Sequence, residues 1–313
     1  MTAAPTCPIC QQLAVRRLAV EHYDIYRCSG CDLEFVYPLP SAEAIAAVYE
    51  RDYFTGAGFG YADYFAAEHR IALNKARQRI QQLREAGLPE GARTLDVGCA
   101  DGTFVDYALA QGFDAYGVEV SQDALRHAPE AVRDRIFDSL ETAAHKGPFA
   151  CITFWDVLEH LPDPFAVLRA ASALLAPGGL MGVVVPVIDN VNARLVPRSW
   201  DQYKPPEHLW YFSRRSLTTV LRREVGTVML TEGAWRRDSR CIEPLTARSG
   251  VACMGTGTRT PAQPKAARVA MLRFAADVER WIVRGLVWTR ALPEAWVQDS
   301  ILALARAEDA PRH

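Results

Sequence analysis

Thr94-Leu-Asp-Val-Gly-Cys-Ala-Asp-Gly-Thr103 is the stretch that most narrows what this chain can fold into. A short apolar strand ending at Asp96 runs into a glycine-rich turn, and Phe104 to Gln111 carries the pattern of a following helix. Strand, glycine turn and helix in that order open the ligand crevice of a doubly wound α/β sheet. Glycine lets the backbone approach a ligand, and the helix N-terminus presents unpaired N–H groups. The next strand, Ala115 to Val120, carries Glu119, 23 residues beyond Asp96. A carboxylate at that distance can take both hydroxyls of a ribose. A dinucleotide site would need G-x-G-x-x-G, but the frame from Gly98 reads Gly98, Ala100, Thr103, so two glycines are missing.

What the turn does match is D-x-G-x-A-x-G, with Asp96, Gly98, Ala100 and Gly102. Downstream, Phe149 to Trp155 is a continuous apolar run suited to a strand buried on both faces. Asp156-Val-Leu-Glu-His160 and Leu161-Pro-Asp-Pro164 follow, then a helix from Phe165 to about Leu175, stopped by Pro177-Gly-Gly179, and a strand from Leu180 to Val185. Taken together these segments resemble the first, fourth and fifth motifs of class I S-adenosylmethionine-dependent methyltransferases, whose first motif is usually (D/E)-x-G-x-G-x-G. Ala100 departs from it at the middle glycine. The resemblance implies an α/β, Rossmann-like seven-stranded sheet, with S-adenosylmethionine as cofactor. It places Asp96, Gly98, Ala100, Gly102, Glu119, Trp155 and Asp156 around that cofactor. Asp138 and Ser139, just past a third strand at Arg135 to Phe137, fall where family members set a polar group against the adenine; Asp138 equally suits a helix cap.

The chain-level numbers fit a cytoplasmic enzyme. At 313 residues the chain holds one large domain and a small one. A net charge of -2 gives no general electrostatic pull toward nucleic acid. The N-terminus lacks a charged segment followed by an apolar core, and no apolar run reaches the roughly 18 residues that span a bilayer. Four of the eight cysteines, Cys7, Cys10, Cys28 and Cys31, form C-x2-C, seventeen residues, C-x2-C. That spacing predicts a zinc ribbon over residues 1–40, held by four thiolates and short alternating strands. So small a segment has little core, so the metal would supply much of its folding energy. The zinc is either purely structural or also part of a wall of the substrate site.

Residues 41–90 read as a helical and aromatic cap, with a helix capped by Ser41, the aromatic and glycine-rich segment Tyr53 to Phe65, and a helix from about Ala66 to Ala86. The aromatic segment suits either a mobile flap or simple packing. The core spans 91–235. Residues 236–295 read as a helical insertion, in which Ala267 to Leu292 covers a sheet edge, forms a homodimer interface, or meets a lipid-linked substrate or membrane surface. Residues 296–313 supply the last strand, which the resemblance makes antiparallel.

Methyl transfer from a sulfonium is an in-line displacement, so the protein must align the acceptor and remove its proton. His208 is the leading candidate base, with Glu207 beside it or another carboxylate to orient the ring, followed by His160, Asp156 and Tyr203. The four-cysteine segment, the core, and Glu207, His208, Tyr211, Phe212 and Ser213 together resemble nucleotide-sugar C-methyltransferases over residues 1–225. That likeness implies a nucleotide-sugar or glycan-precursor acceptor and His208 as base. Tyr203 is displaced by one residue from that family's pattern, and the family's further C-terminal α/β domain is replaced by the helical insertion. Leu158-Glu-His-Leu-Pro-Asp-Pro164 resembles ubiquinone-type O-methyltransferases, which implies a divalent metal at Asp156, Glu159 and His160. The reading is a methyltransferase acting on a small molecule at carbon or oxygen. Its alternatives are a zinc-containing ribosomal RNA methyltransferase and a non-catalytic binding module.

Overall fold

The computed structural model describes residues 4–48, 69–195, 197, 200–231 and 300–308. The aromatic segment 53–65 and the insertion 236–295 lie outside the described residues. At the N-terminus, β1 (Ala14–Val20), β2 (Tyr23–Cys28) and β3 (Glu34–Val36) form an antiparallel meander. Each cysteine pair sits in a tight knuckle. The Gln11 N–H donates to the Cys7 carbonyl at 2.9 Å and that of Asp32 to the Cys28 carbonyl at 3.2 Å. Closing those turns puts Gln11 at φ 59° and Asp32 at φ 64°, the left-handed region. The helix Ala42–Val48 follows, with the Ser41 hydroxyl accepting the Ala44 N–H at 3.2 Å.

The helix His69–Glu85 leads into the main sheet. Its strands are β4 (Arg93–Val97), β5 (Asp114–Val118), β6 (Ile136–Phe137), β7 (Phe149–Trp155) and β8 (Leu175–Pro186), and later β10 (Gly226–Thr231) and β11 (Ser300–Ala307). Their order is β10-β11-β8-β7-β4-β5-β6, and β11 runs antiparallel to both of its neighbours. The seven-stranded Rossmann-like sheet and its antiparallel last strand are thus as expected. In the central strand β7, Phe149, Cys151, Ile152, Phe154 and Trp155 are all buried, which is why its sequence is apolar without alternation.

The Pro177-Gly-Gly179 segment has a different role from the one expected. The helix ends earlier, at Ser172, and β8 has begun by Leu175, so the three residues lie inside a strand. Phe149 pairs with Leu175 while Cys151 pairs with Leu180, and the surplus residues bulge out. Gly178 takes φ 69°, and a Cβ on Gly179 would lie 2.8 Å from the Ala176 carbonyl oxygen. Glycine here makes a bulge possible rather than ending a helix.

The N-terminal segment does not stand alone. The two-residue strand β9 (Trp210–Tyr211) completes its sheet in the order β1-β2-β3-β9, with Phe35 opposite Trp210. Leu33 and Phe35 share one buried cluster with Leu209, Phe212 and Leu217. Phe212 and Ser213 lead into the helix Arg214–Glu224, where Ser213 and Ser216 form a reciprocal capping box. Among the described residues no helix is long and apolar enough to cross a membrane.

Candidate functional site

The crevice at the C-terminal edge of the sheet has two ends. At the first, the turn after β4 alternates left-handed residues: Gly98 at φ 74°, Ala100 at φ 50° and Gly102 at φ 75°. A Cβ on Gly98 would lie 2.6 Å from Val157 Cγ2, so glycine there is required by space as well as by φ. Ala100 fits the middle position at the cost of a mildly strained backbone. The turn delivers the chain to the helix Thr103–Ala110, whose N-terminus has no side-chain cap from Gly102. The Thr103 N–H goes to Asp101 Oδ1 at 3.0 Å, which among the described residues leaves the N–H groups of Phe104 and Val105, with the helix dipole, available to a ligand.

Glu119 lies just beyond β5 and is buried. Its Oε2 accepts the Ala100 N–H at 2.9 Å, and its Oε1 accepts those of Val120 and Ser121 at 2.9 and 2.8 Å. The carboxylate is therefore fixed against the turn by three backbone N–H groups. Asp96 is buried beneath it and accepts the Thr153 hydroxyl at 2.7 Å. Burial pushes the Asp96 carboxyl up to about 7, against the opposing pull of that hydrogen bond and of Arg79. Asp138 is exposed and accepts from Thr142 Oγ1 at 2.6 Å and Ser139 Oγ at 3.2 Å, which lowers its carboxyl. Ser139, not Asp138, is the cap of the short helix Leu140–Ala143, and Asp138 braces that cap through its two hydroxyl donors.

The second end follows β7. Asp156 turns the chain at φ 59°, and a single 3-10 turn, Leu158–His160, comes next. Asp156 pairs with Arg79 at 3.2 Å, and the same guanidinium lies 4.7 Å over the Trp155 ring. The segment 202–210 closes on this turn from the far side, where the Leu209 N–H donates to the Glu159 carbonyl at 2.8 Å. Trp210 Nε1 donates to the Leu161 carbonyl at 2.7 Å. His160 and His208 then meet edge to face, with ring centroids 4.5 Å apart.

Each of these rings spends its Nδ1 on a backbone carbonyl at 3.0 Å, His160 on that of Glu207 and His208 on that of Gln202. A carbonyl only accepts, so Nδ1 carries the proton and Nε2 keeps its lone pair. Burial lowers the His160 imidazole to about 3 and that of His208 well below its usual value, so both are neutral. Glu159 is buried beside them, and its two carboxylate oxygens find no hydrogen-bond partner among the described residues. Desolvation raises its carboxyl well above the usual range.

One ligand atom from each of Glu159, His160 and His208 lies within 4.8 Å of the others. This differs from the expected set of Asp156, Glu159 and His160, because Asp156 turns away to Arg79 and His208 takes the third place. Glu207 does not orient His208 by its carboxylate either, which pairs with Lys204 at 2.7 Å. The Tyr203 hydroxyl is buried against Glu34 of β3. Sequence reasoning passed over Glu34 and Arg79. Glu34 had a signal, a lone charge inside the apolar run Leu33 to Val36, while Arg79 looked like any helical arginine.

The four cysteine sulfurs also lie within 4.8 Å of one another, with Cys7 to Cys31 at 3.5 Å and Cys10 to Cys28 at 3.3 Å. A tetrahedral zinc with ~2.3 Å bonds spaces its sulfurs by about 3.8 Å, close to these separations. The Gly30 and Cys31 N–H groups reach Cys28 Sγ at 3.2 and 3.5 Å and favour a thiolate, while burial raises the Cys28 thiol overall. A hydrogen bond from the Cys31 thiol brings Cys7 down to about 5 and makes Cys31 correspondingly harder to ionise. The residues fit the metal.

A parallel sheet with an antiparallel last strand, opened by this turn and its paired acids, defines a class I methyltransferase core. The chain belongs to the methyltransferase-domain family, whose model matches residues 66–230, more than half of its length. It is 33% identical over 198 residues to the ubiquinone biosynthesis O-methyltransferase of Xanthomonas campestris pv. campestris, covering 54% of this chain and 77% of that protein. Against the enzyme of the same name from Psychrobacter cryohalolentis it is 34% identical over 130 residues, 38% of this chain and 48% of that one. The chain thus spans about half the length of the latter relative. A SAM-dependent methyltransferase from Archaeoglobus fulgidus superposes with a TM-score of 0.48 at 17% identity, over 78% of this chain and 99% of that one.

The raised Asp96 carboxyl makes stability depend on pH. An unfolded aspartate ionises near 3.9, so Asp96 contributes no penalty below pH 4. Between pH 4 and 7 the unfolded chain gains its charge while the folded one does not. The penalty therefore grows to an upper bound of about 4 kcal/mol and levels off above pH 7, where both states are ionised. Asp96→Asn should then gain stability relative to the native chain as pH rises from 4 to 7 and no further, read from urea midpoints at each pH. A gap that is flat across this range would mean that Asp96 is ionised throughout.

Proposed function

We propose that the chain is an S-adenosylmethionine-dependent methyltransferase that methylates a hydroxyl of a small-molecule acceptor. The donor would bind at the Gly98 to Gly102 turn and the acceptor beside Glu159, His160 and His208. The observation that carries this reading is the left-handed turn with Glu119 bonded across it to Ala100, in a chain of this family. A carboxylate has about four lone-pair sites, and three N–H groups leave Glu119 one for a ribose hydroxyl. The second hydroxyl would take the place of the Ala100 N–H. The ammonium of the donor's methionine end would favour the ionised form of Asp96.

The relatives named for ubiquinone biosynthesis favour oxygen as the methylated atom. A second reading, a nucleotide-sugar or glycan-precursor acceptor, is favoured by the cysteine-bearing sheet that closes on Trp210 and Tyr211. In both, His208 takes the acceptor proton on Nε2. A buried imidazole below its usual pKa is a weak base for a hydroxyl near pKa 10. The gap exceeds about 3.5 units, on the order of 5 kcal/mol of uphill transfer. The sulfonium charge offsets part of it. A divalent cation held by Glu159 and His160, which leaves the His208 Nε2 lone pair for the proton, would offset more by lowering the pKa of the acceptor hydroxyl. Glu159 supports that role: its oxygens have no hydrogen-bond partner among the described residues, with His160 Nε2 4.0 Å from Oε1, and a buried carboxylate so placed is stable only when protonated or beside a cation. Zinc at Cys7, Cys10, Cys28 and Cys31 would be structural.

Four measurements test this reading. Calorimetric titration with S-adenosylhomocysteine should give micromolar binding that Asp96→Ala and Glu119→Ala abolish; an unresponsive native protein would argue against the donor site. With binding in hand, phenols and nucleotide-sugars are screened as acceptors, and a protein that binds the cofactor yet methylates neither class is a binding module. Elemental analysis should find one zinc per chain, lost in Cys28→Ser with destabilisation of residues 1–40; unchanged metal content would refute the ribbon. Manganese added to the zinc-loaded protein should lose its free-ion resonance signal at one equivalent, and Glu159→Gln should restore that signal. If manganese stays free with the native chain, no cation assists His208.

A further inference from the structure

Glu34 is an unusual residue for the middle of a small sheet. It lies in the apolar run Leu33 to Val36, its side chain is 1% exposed, and its neighbours Leu33 and Phe35 share a buried cluster with the cysteines. Burying a carboxylate costs several kcal/mol unless partners surround it, and a well-packed apolar residue usually serves stability as well. Its partners are therefore informative. Oε1 faces Arg27 Nη1 at 3.4 Å and Arg17 Nε at 3.6 Å, both from the same meander. Oε2 accepts the Tyr203 hydroxyl, 169 residues further along the chain.

Tyr203 is itself buried, its ring standing 4.8 Å from both Trp200 and Tyr211. One residue earlier, the Gln202 carbonyl accepts Nδ1–H of His208 at 3.0 Å. On the other side the Tyr211 hydroxyl donates to the His208 carbonyl at 2.8 Å, and Val36 N–H donates to the Leu209 carbonyl at 3.0 Å. Every one of these bonds except Glu34 to Tyr203 acts on backbone. Among the described residues the Gln202 carbonyl is the partner that sets which His208 nitrogen carries the proton; it also accepts the Lys204 N–H at 3.0 Å, and the side-chain anchor next to it in the chain is Tyr203.

We propose that Glu34 is a positioning residue for His208: by holding Tyr203 it fixes the Gln202 carbonyl, and that carbonyl keeps the His208 proton on Nδ1 and the lone pair on Nε2. The N-terminal sheet then serves the acceptor end of the crevice as well as packing against it. The functional consequence rests on the role given to His208 above; the link from Glu34 to the tautomer does not.

The test uses the full chain labelled with 15N, in buffer without added divalent cation, and reads the His208 ring nitrogens by long-range 1H–15N correlation. The native protein should show Nδ1 protonated and Nε2 bare. Tyr203→Phe, which removes one hydroxyl and keeps the ring, should show both tautomers. Glu34→Gln should retain the native tautomer, because its amide oxygen still accepts the Tyr203 hydroxyl. In Tyr203→Phe the affinity for S-adenosylhomocysteine should be unchanged and unfolding should stay cooperative, which separates positioning from a general loss of structure. A native tautomer in Tyr203→Phe overturns the proposal, as does a mixture in the unsubstituted protein. If Glu34→Gln does not fold, Tyr203→Phe decides alone. Should the tautomer shift as expected while His208→Ala still methylates its acceptor, the positioning link stands and the catalytic role of His208 falls.

Discussion

The parallel pairing of β4 with β7 is the constraint on which the rest of the molecule depends. Its register sets Asp96 opposite Thr153, and the Thr153 hydroxyl closes on the Asp96 carboxylate. With the two strands locked side by side, the turn at Gly98 and the bend at Asp156 emerge at the same edge of the sheet. Cofactor end and acceptor end are thereby neighbours before any side chain beyond the strands is placed. Val157, on the acceptor side, approaches so near the turn that position 98 has no room for a side chain. The two ends thus constrain each other sterically as well as through the strand register.

The N-terminal sheet depends on the core in the same way. Its own segment is too short to exclude water from both faces, and a zinc held by the four cysteines would supply part of what is missing. The remainder comes from β9, which adds a strand and brings Trp210 against Phe35, with ring centroids 5.9 Å apart. Trp210 also stands edge-on to Phe165, 5.1 Å away, at the start of the helix Pro164–Ser172. One indole thus joins the cysteine-bearing sheet, the 202–213 segment and the main domain. This makes the segment an ordered wall despite its length.

Three buried carboxylates divide the electrostatic work. Asp96 has a single hydroxyl donor, Glu34 has a hydroxyl and two guanidinium groups, and Glu159 has no hydrogen-bond partner among the described residues. Burial raises all three carboxyls, least compensated at Glu159. In a stable domain an uncompensated acid is a site awaiting positive charge. Asp96 and Glu159 stand at the two ends where the proposed reaction would bring a cationic donor and a polarised acceptor.

The sequence by itself determined what is local. Residues from Asp96 to Gly102 encode their turn because left-handed φ and close approach select glycine within a few residues, and the run Phe149 to Trp155 encodes a doubly covered strand. The cysteine knuckles and the Ser41 cap were legible for the same reason. The bulge at Pro177 to Gly179 was not, because proline and glycine interrupt a helix or a strand alike, and only pairing with β7 distinguishes the two. Tertiary structure alone decided that Asp156 goes to Arg79, that His208 joins Glu159 and His160, and that Tyr203 reaches Glu34. Those contacts join residues 48 to 169 positions apart. No spacing rule links such residues; the packing of β9 against β3 and of Leu209 on Glu159 brings them together.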